Sequence, residues 1–273
     1  MFIFFLFFFG LAVGSLLNAI IYRLQSGEAI IFERSHCVKC QATLKWFDLI
    51  PLLSFFWLRG RCRYCGEKIS WQYPIVELAT ALIFIWLYAW QYPALFSLSL
   101  EPTAPFLLDW QFVQFIYYLL IACFLIIIFV YDLKTYLILD KVIYPAIIIS
   151  FLFLSWQAWQ LQSFEFWRNG LLSGLVAAGF FLSLVVVSKG KWMGIGDIKL
   201  ALLMGFVLNW PTILWAMFLA FMVGAIVGLF LMALKKKGLK SEIPFGPFLA
   251  GATLIVLIYS QYLTDLFSSY MML

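Results

Sequence analysis

Residues 112–130 read FVQFIYYLLIACFLIIIFV, nineteen positions without a charge, and the chain continues YDLKTYLILD to Asp140. An α-helix needs about 20 apolar residues to cross the ~30 Å hydrocarbon core of a bilayer. The stretch therefore predicts a membrane span, and it ends on a carboxylate, Asp132, at the rim of that span. Working outward, 65% of the 273 residues are hydrophobic and 11% are charged, against about 25% charged in a soluble domain. The expected fold is an all-α polytopic membrane protein of about eight transmembrane helices with a small cytoplasmic zinc-binding loop domain. The spans are expected at 1–22, 75–92, 112–130, 142–159, 171–187, 198–208, 212–234 and 248–263. The first is read as a retained helix that Arg23 stops, because no basic segment precedes it as in a cleaved signal peptide. The domains follow as 1–24, a first transmembrane helix; 25–73, a cytoplasmic loop domain; and 74–273, a seven-helix membrane core.

Charge orients the chain. With eight crossings, loops 23–74, 132–141, 189–199 and 235–243 share one face and carry 17 of the 18 Lys and Arg residues; Arg168 lies opposite. The positive-inside rule makes the basic face cytoplasmic and turns both termini outward. The net charge of +5 is thus a topology signal, and no nucleic-acid partner is expected. No internal repeat is read.

The one sizeable polar segment holds CVKC at Cys37–Cys40 and CRYC at Cys62–Cys65, two pairs separated by 21 residues. Two such knuckles close a tetrahedral zinc site of four thiolates. A disulfide is disfavoured in a reducing compartment, and a redox motif needs only one pair. Zinc with four protein thiolates has no open position, so its expected role is structural. Gly66 suits the knuckle turn. Cys123, in mid-span, reads as a packing residue.

A single histidine, His36, excludes the two-histidine metalloproteases and leaves no plausible place for a Ser-His-Asp triad. Walker A and G-x-G-x-x-G nucleotide motifs are absent. Acid chemistry remains. Asp132 closes the third span and Asp197, in MGIGDIKL (193–200), opens the sixth; both fall at the same rim. Two facing carboxylates cannot both ionise, so they share a proton; one activates water and the other hydrogen-bonds the developing oxyanion. Gly194 and Gly196 permit close backbone approach or a bend, and Lys199 completes the motif. Asp140 is a rival for the place of Asp132, and Lys134 and Lys199 are candidate partners of the neighbouring acids. Glu77, Asp109, Glu242 and Asp265 are the other acids near the membrane. A proton-coupled carrier and a zinc-stapled assembly platform are the alternatives from other classes.

At this point the motifs GSLLNAIIYRL, the cysteine segment through WQYPIVEL, YDLKTYLILD, GIGDIKL and PFGPFLAGA resemble those of the bacterial type IV prepilin peptidases, membrane aspartyl proteases of the GxGD type. The resemblance implies a bifunctional enzyme of the inner membrane. It would cut the basic leader of prepilins or pseudopilins, usually after a glycine, and then methylate the new N-terminal amine with S-adenosylmethionine. It places the catalytic pair on Asp132 and Asp197 and the metal ligands on Cys37, Cys40, Cys62 and Cys65. Val38 and Leu139 stand where the family often has proline. A peptidase without methyl transfer is the nearer alternative. Glu77 and Asp48 are weak candidates for the methyl-donor site, which stays unassigned, as does the oligomeric state.

Overall fold

A computed structural model describes residues 2–29, 34–92, 110–234 and 243–271. The expectations for Asp109, the Lys235–Lys237 cluster, Lys240 and Glu242 lie outside these residues. The described chain is helical: α1 (Phe2–Ser26), a 3-10 turn at Trp46–Leu49, α2 (Leu53–Trp57), α3 (Gln72–Gln91), α4 (Trp110–Thr135), α5 (Asp140–Gln160), α6 (Phe164–Ser188), α7 (Ile195–Leu208), α8 (Thr212–Ala233), α9 (Gly246–Ile258) and α10 (Ser260–Met271). Among the described residues six helices are long and apolar enough to cross a membrane, namely α1, α3, α4, α5, α6 and α8. The protein is a multi-pass membrane protein.

The other two expected spans are shorter. The sixth, α7, has 14 residues, and the eighth is divided: α9 has 13 residues, and α10 follows after a break at Tyr259. At 1.5 Å per residue these helices reach only about 20 Å. Both are compensated by burial, since most of α7 and α9 is packed inside. In the other direction, α6 starts seven residues before its expected boundary, because Ser163 caps it by accepting the Phe166 N–H at 3.2 Å. Arg168 is then a helical residue, 3.7 Å from Glu165.

The contacts divide the chain into two units, residues 1–127 and 128–273. In the first, α1 and α3 pack closely because glycine removes the side chains between them. A Cβ at Gly10 would lie 2.6 Å from the Ala81 Cα, and one at Gly14 would lie 2.6 Å from the Glu77 Cα. This is the small-x-x-x-small solution to packing where lipid provides no hydrophobic drive. Buried Asn18 ties the pair with polar bonds, donating to the Tyr73 carbonyl (3.0 Å) and accepting from Gln72 Nε2 (3.2 Å).

In the second unit α7 is the central element, packed by α5, α6 and α9. Its approach to α6 again depends on glycine: a Cβ at Gly205 would collide with the Gly174 backbone, and one at Gly174 would meet the Phe206 ring at 2.8 Å. The end of α4 turns at Tyr136, which adopts φ 58° and donates its N–H to the Asp132 carbonyl at 2.9 Å. The following loop lays Ile138 against the starts of α7 and α9.

Candidate active site and metal centre

Asp132 sits near the C-terminal end of α4 and Asp197 in the first turn of α7; they are 4% and 7% exposed. Their carboxyls are within electrostatic reach of one another. Each lies against the start of a helix. The Asp197 Oδ2 accepts from Gly194, the residue before α7, at 3.2 Å, and the Asp132 carboxyl lies against Gly246, the first residue of α9. The first N–H groups of a helix have no partner within it and lie at the positive end of its dipole. Two such ends therefore converge on two acids, an arrangement that stabilises negative charge without a side-chain cation.

Space around the pair explains two glycines. A Cβ at Gly246 would fall 2.5 Å from the Asp132 Oδ2, and one at Gly196 would fall 2.8 Å from the Ile138 Cβ. Gly194 differs. Its φ is −84°, open to any residue, and the nearest atoms to an added Cβ are at 3.9 Å. The expected bend at this motif is thus not what glycine supplies; Gly196 supplies room for Ile138.

Lys199 does not partner Asp197. It joins α7 to α5 through Asp140, Nζ to Oδ1 at 2.5 Å, and lies 4.7 Å from the centre of the Tyr144 ring. Asp140, the rival acid, is mostly exposed and engaged in this pair. Gly246 and Ile138 were not singled out from sequence. The G-P-F inside PFGPFLAGA, a glycine followed by proline at a helix start, was the available signal.

In the first unit the Sγ atoms of Cys37, Cys40, Cys62 and Cys65 all lie within 4.8 Å of one another, close enough to bind a metal ion. Cys37 and Cys65 are 3.9 Å apart. Four sulfurs about 2.3 Å from a tetrahedral zinc are about 3.8 Å apart, so the donor set fits the ion.

The two knuckles share one backbone pattern, which corrects the reading of no repeat. Cys37 N–H bonds the Ala42 carbonyl and Gln41 N–H the Cys37 carbonyl; Cys62 with Glu67 and Gly66 with Cys62 do the same 25 residues on. Gln41 and Gly66 both take positive φ, 56° and 72°. Within the knuckles only the cysteines coincide, but the same offset also matches Arg34 with Arg59 and Trp46 with Trp71.

Burial opposes ionisation of Cys37, but amides of Cys40 and Lys39 and thiols of Cys62 and Cys40 bond its thiolate and lower it to about 7. Cys65 is helped by the Glu67 amide, yet burial and the three other sulfurs push it up to about 12. Asp48 braces the second knuckle, accepting from Arg63 (2.7 Å), Tyr64 (3.1 Å) and the Lys45 N–H (3.2 Å). Although burial works against it, the Arg63 hydrogen bond and the Lys45 amide hold its carboxyl below the usual range. Glu77, buried on α3, accepts the Leu52 N–H at 2.9 Å. Both acids therefore have structural partners.

The family model described as "Bacterial Peptidase A24 N-terminal domain" matches residues 8–92, which carry the four cysteines. The model described as "Type IV leader peptidase family" matches residues 119–229, which carry Asp132 and Asp197. The chain is 32% identical over 259 residues to the prepilin leader peptidase/N-methyltransferase of Bacillus subtilis (strain 168), covering 94% of each chain. It is 32% identical over 252 residues to the protein so named from Myxococcus xanthus (strain DK1622), covering 87% of this chain and 66% of that one. Against the Aeromonas salmonicida (strain A449) protein of that name the identity is 28% over 287 residues, with 94% and 91% covered. No solved structure matches. The chain belongs to the type IV leader peptidase family.

Proposed function

We propose that this protein processes type IV prepilins or pseudopilins in two steps. It cleaves the basic leader at the cytoplasmic face of the inner membrane, and it then methylates the new N-terminal amine. The observation that carries the first step is the pair of buried carboxyls, Asp132 and Asp197, set against two helix starts. The ionised member takes a proton from water, the water attacks the scissile carbonyl, and the protonated member hydrogen-bonds the oxygen that becomes negative. The two act as a unit, so neither is assigned the proton. The Gly194 N–H orients the Asp197 carboxyl, and the bare backbone at Gly246 leaves room for that of Asp132. The substrate helix must unwind at the cut, and a glycine there lowers that cost.

Zinc on the four cysteines would hold segment 25–73 in shape and takes no part in cleavage. S-adenosylmethionine would supply the methyl group, as the names of the relatives imply; no residues are assigned to it. The charge distribution supports a cytoplasmic cysteine segment and outward termini.

The test is intact-mass spectrometry of a model prepilin incubated with the purified protein and S-adenosylmethionine. The expected product has lost its leader and gained one methyl group. Asp132→Asn and Asp197→Asn should each slow cleavage by about 10²- to 10⁴-fold while the protein stays folded. Full turnover by either variant removes that residue from the pair, and a cleaved, unmethylated product at saturating donor leaves a peptidase alone.

A further inference from the structure

The cysteine segment carries large apolar side chains that neither metal binding nor the knuckle hydrogen bonds use. Its short helix α2 is two-faced. Phe55 turns inward, 5.0 Å from the Trp71 ring centre and packed under Gly60. Leu53, Phe56 and Trp57 turn outward and are 67%, 61% and 85% exposed. A water-facing loop gains nothing from three adjacent exposed residues of this size.

The register of α1 against α3 gives the depth of α2. Gly10 faces Ala81, Gly14 faces Glu77, and Asn18 bonds the Tyr73 carbonyl, so the helices run antiparallel. The start of α3 is thus level with Asn18, five residues or about 7.5 Å before Arg23, where the apolar run of α1 ends. Glu77 lies a further turn and more into α3, and a helical side chain leans back toward the helix N-terminus. That carboxylate holds the Leu52 N–H, so the residue immediately before α2 is held beside the first turns of α3, inside the level where the apolar run of α1 ends. The first knuckle lies elsewhere: His36 packs on Tyr22 and pairs with Glu28, at the far end of α1 near and past Arg23.

We propose that α2 is a membrane-docking element that inserts Leu53, Phe56 and Trp57 into the interfacial layer of the lipid bilayer. Trp71, exposed at the start of α3, would add an aromatic anchor of the kind that belongs at the interface. Arg59 and Arg61, exposed just beyond α2, would reach anionic headgroups. The occupant is lipid because the element is held against two spanning helices at their apolar rim. The docking makes no use of the carboxylate pair, so it stands or falls separately from the peptidase reading.

The experiment places a photoreactive residue at single positions: Phe56→p-benzoylphenylalanine, Trp57→p-benzoylphenylalanine and, as control on the first knuckle, Val38→p-benzoylphenylalanine. Val38 is also apolar and exposed. The metal-loaded proteins are reconstituted in phosphatidylethanolamine and phosphatidylglycerol vesicles, irradiated, and weighed by mass spectrometry. Lipid adducts at 56 and 57 should exceed those at 38 by at least tenfold. Equal yields at all three positions, or crosslinks from 56 and 57 to protein in place of lipid, would overturn the proposal.

Discussion

An added methyl group at Gly246 would come to rest 2.5 Å from the Asp132 Oδ2, closer than any carbon and oxygen settle, so the acid or the start of α9 must move. Gly246→Ala is therefore expected to lower cleavage at least about tenfold, since small misplacements of reacting groups are costly. Gly194→Ala, with open space around it, should stay close to the parent; initial rates on a model prepilin distinguish the two. In the sequence the two acids stand out because one closes a span and the other opens one at the same rim, the second within G-x-G-D, and the structure brings them within electrostatic reach of one another. The partners do not stand out. Lys199 is two residues from Asp197 in sequence, yet on a helix that spacing points side chains to different sides, and the lysine pairs with Asp140 on α5. Gly246 comes to lie beside Asp132 only when α9 packs; G-P-F marks a helix start but not the acid it meets.

At the scale of elements, hydropathy revealed the long helices and misjudged their ends. The sixth and eighth spans read as candidates by composition, but α7 and α9 are interior helices whose short length is set by packing. The start of α6 was hidden by the polar WRNG at 167–170, which the Ser163 cap makes helical. Helix contact also depends on single positions. Gly205→Leu should reduce folded protein recovered from membranes, because α6 and α7 meet backbone to backbone at Gly174. Gly179→Ala, with nothing within 4 Å, should be neutral or slightly stabilising; size-exclusion yield reads both. The cysteine knuckles were legible from spacing alone, since each C-x-x-C is a local turn. Cys40→Ser removes one of four thiolates, so bound metal should fall well below one ion per chain by elemental analysis, while the helices remain inserted.

At the scale of the whole molecule, the sequence predicts an orientation from charge. Placing nearly every basic residue on one face needs only a count of crossings, although two of the helices involved are shorter than a bilayer. If that orientation holds, a membrane-impermeant thiol reagent applied to metal-stripped protein should label the segment from 25 to 73 only from the cytoplasmic side. Labelling from outside inverts the topology. The separation of the active groups along the chain also has a consequence in time. Asp132 leaves the ribosome 65 residues before Asp197 and 114 before Gly246. At about 5–20 residues per second, the first acid waits roughly 3–13 s for Asp197 and roughly 6–23 s for the glycine that lies beside it. A nascent chain that has passed Asp197 but not Gly246 thus carries both acids without the start of α9 beside Asp132.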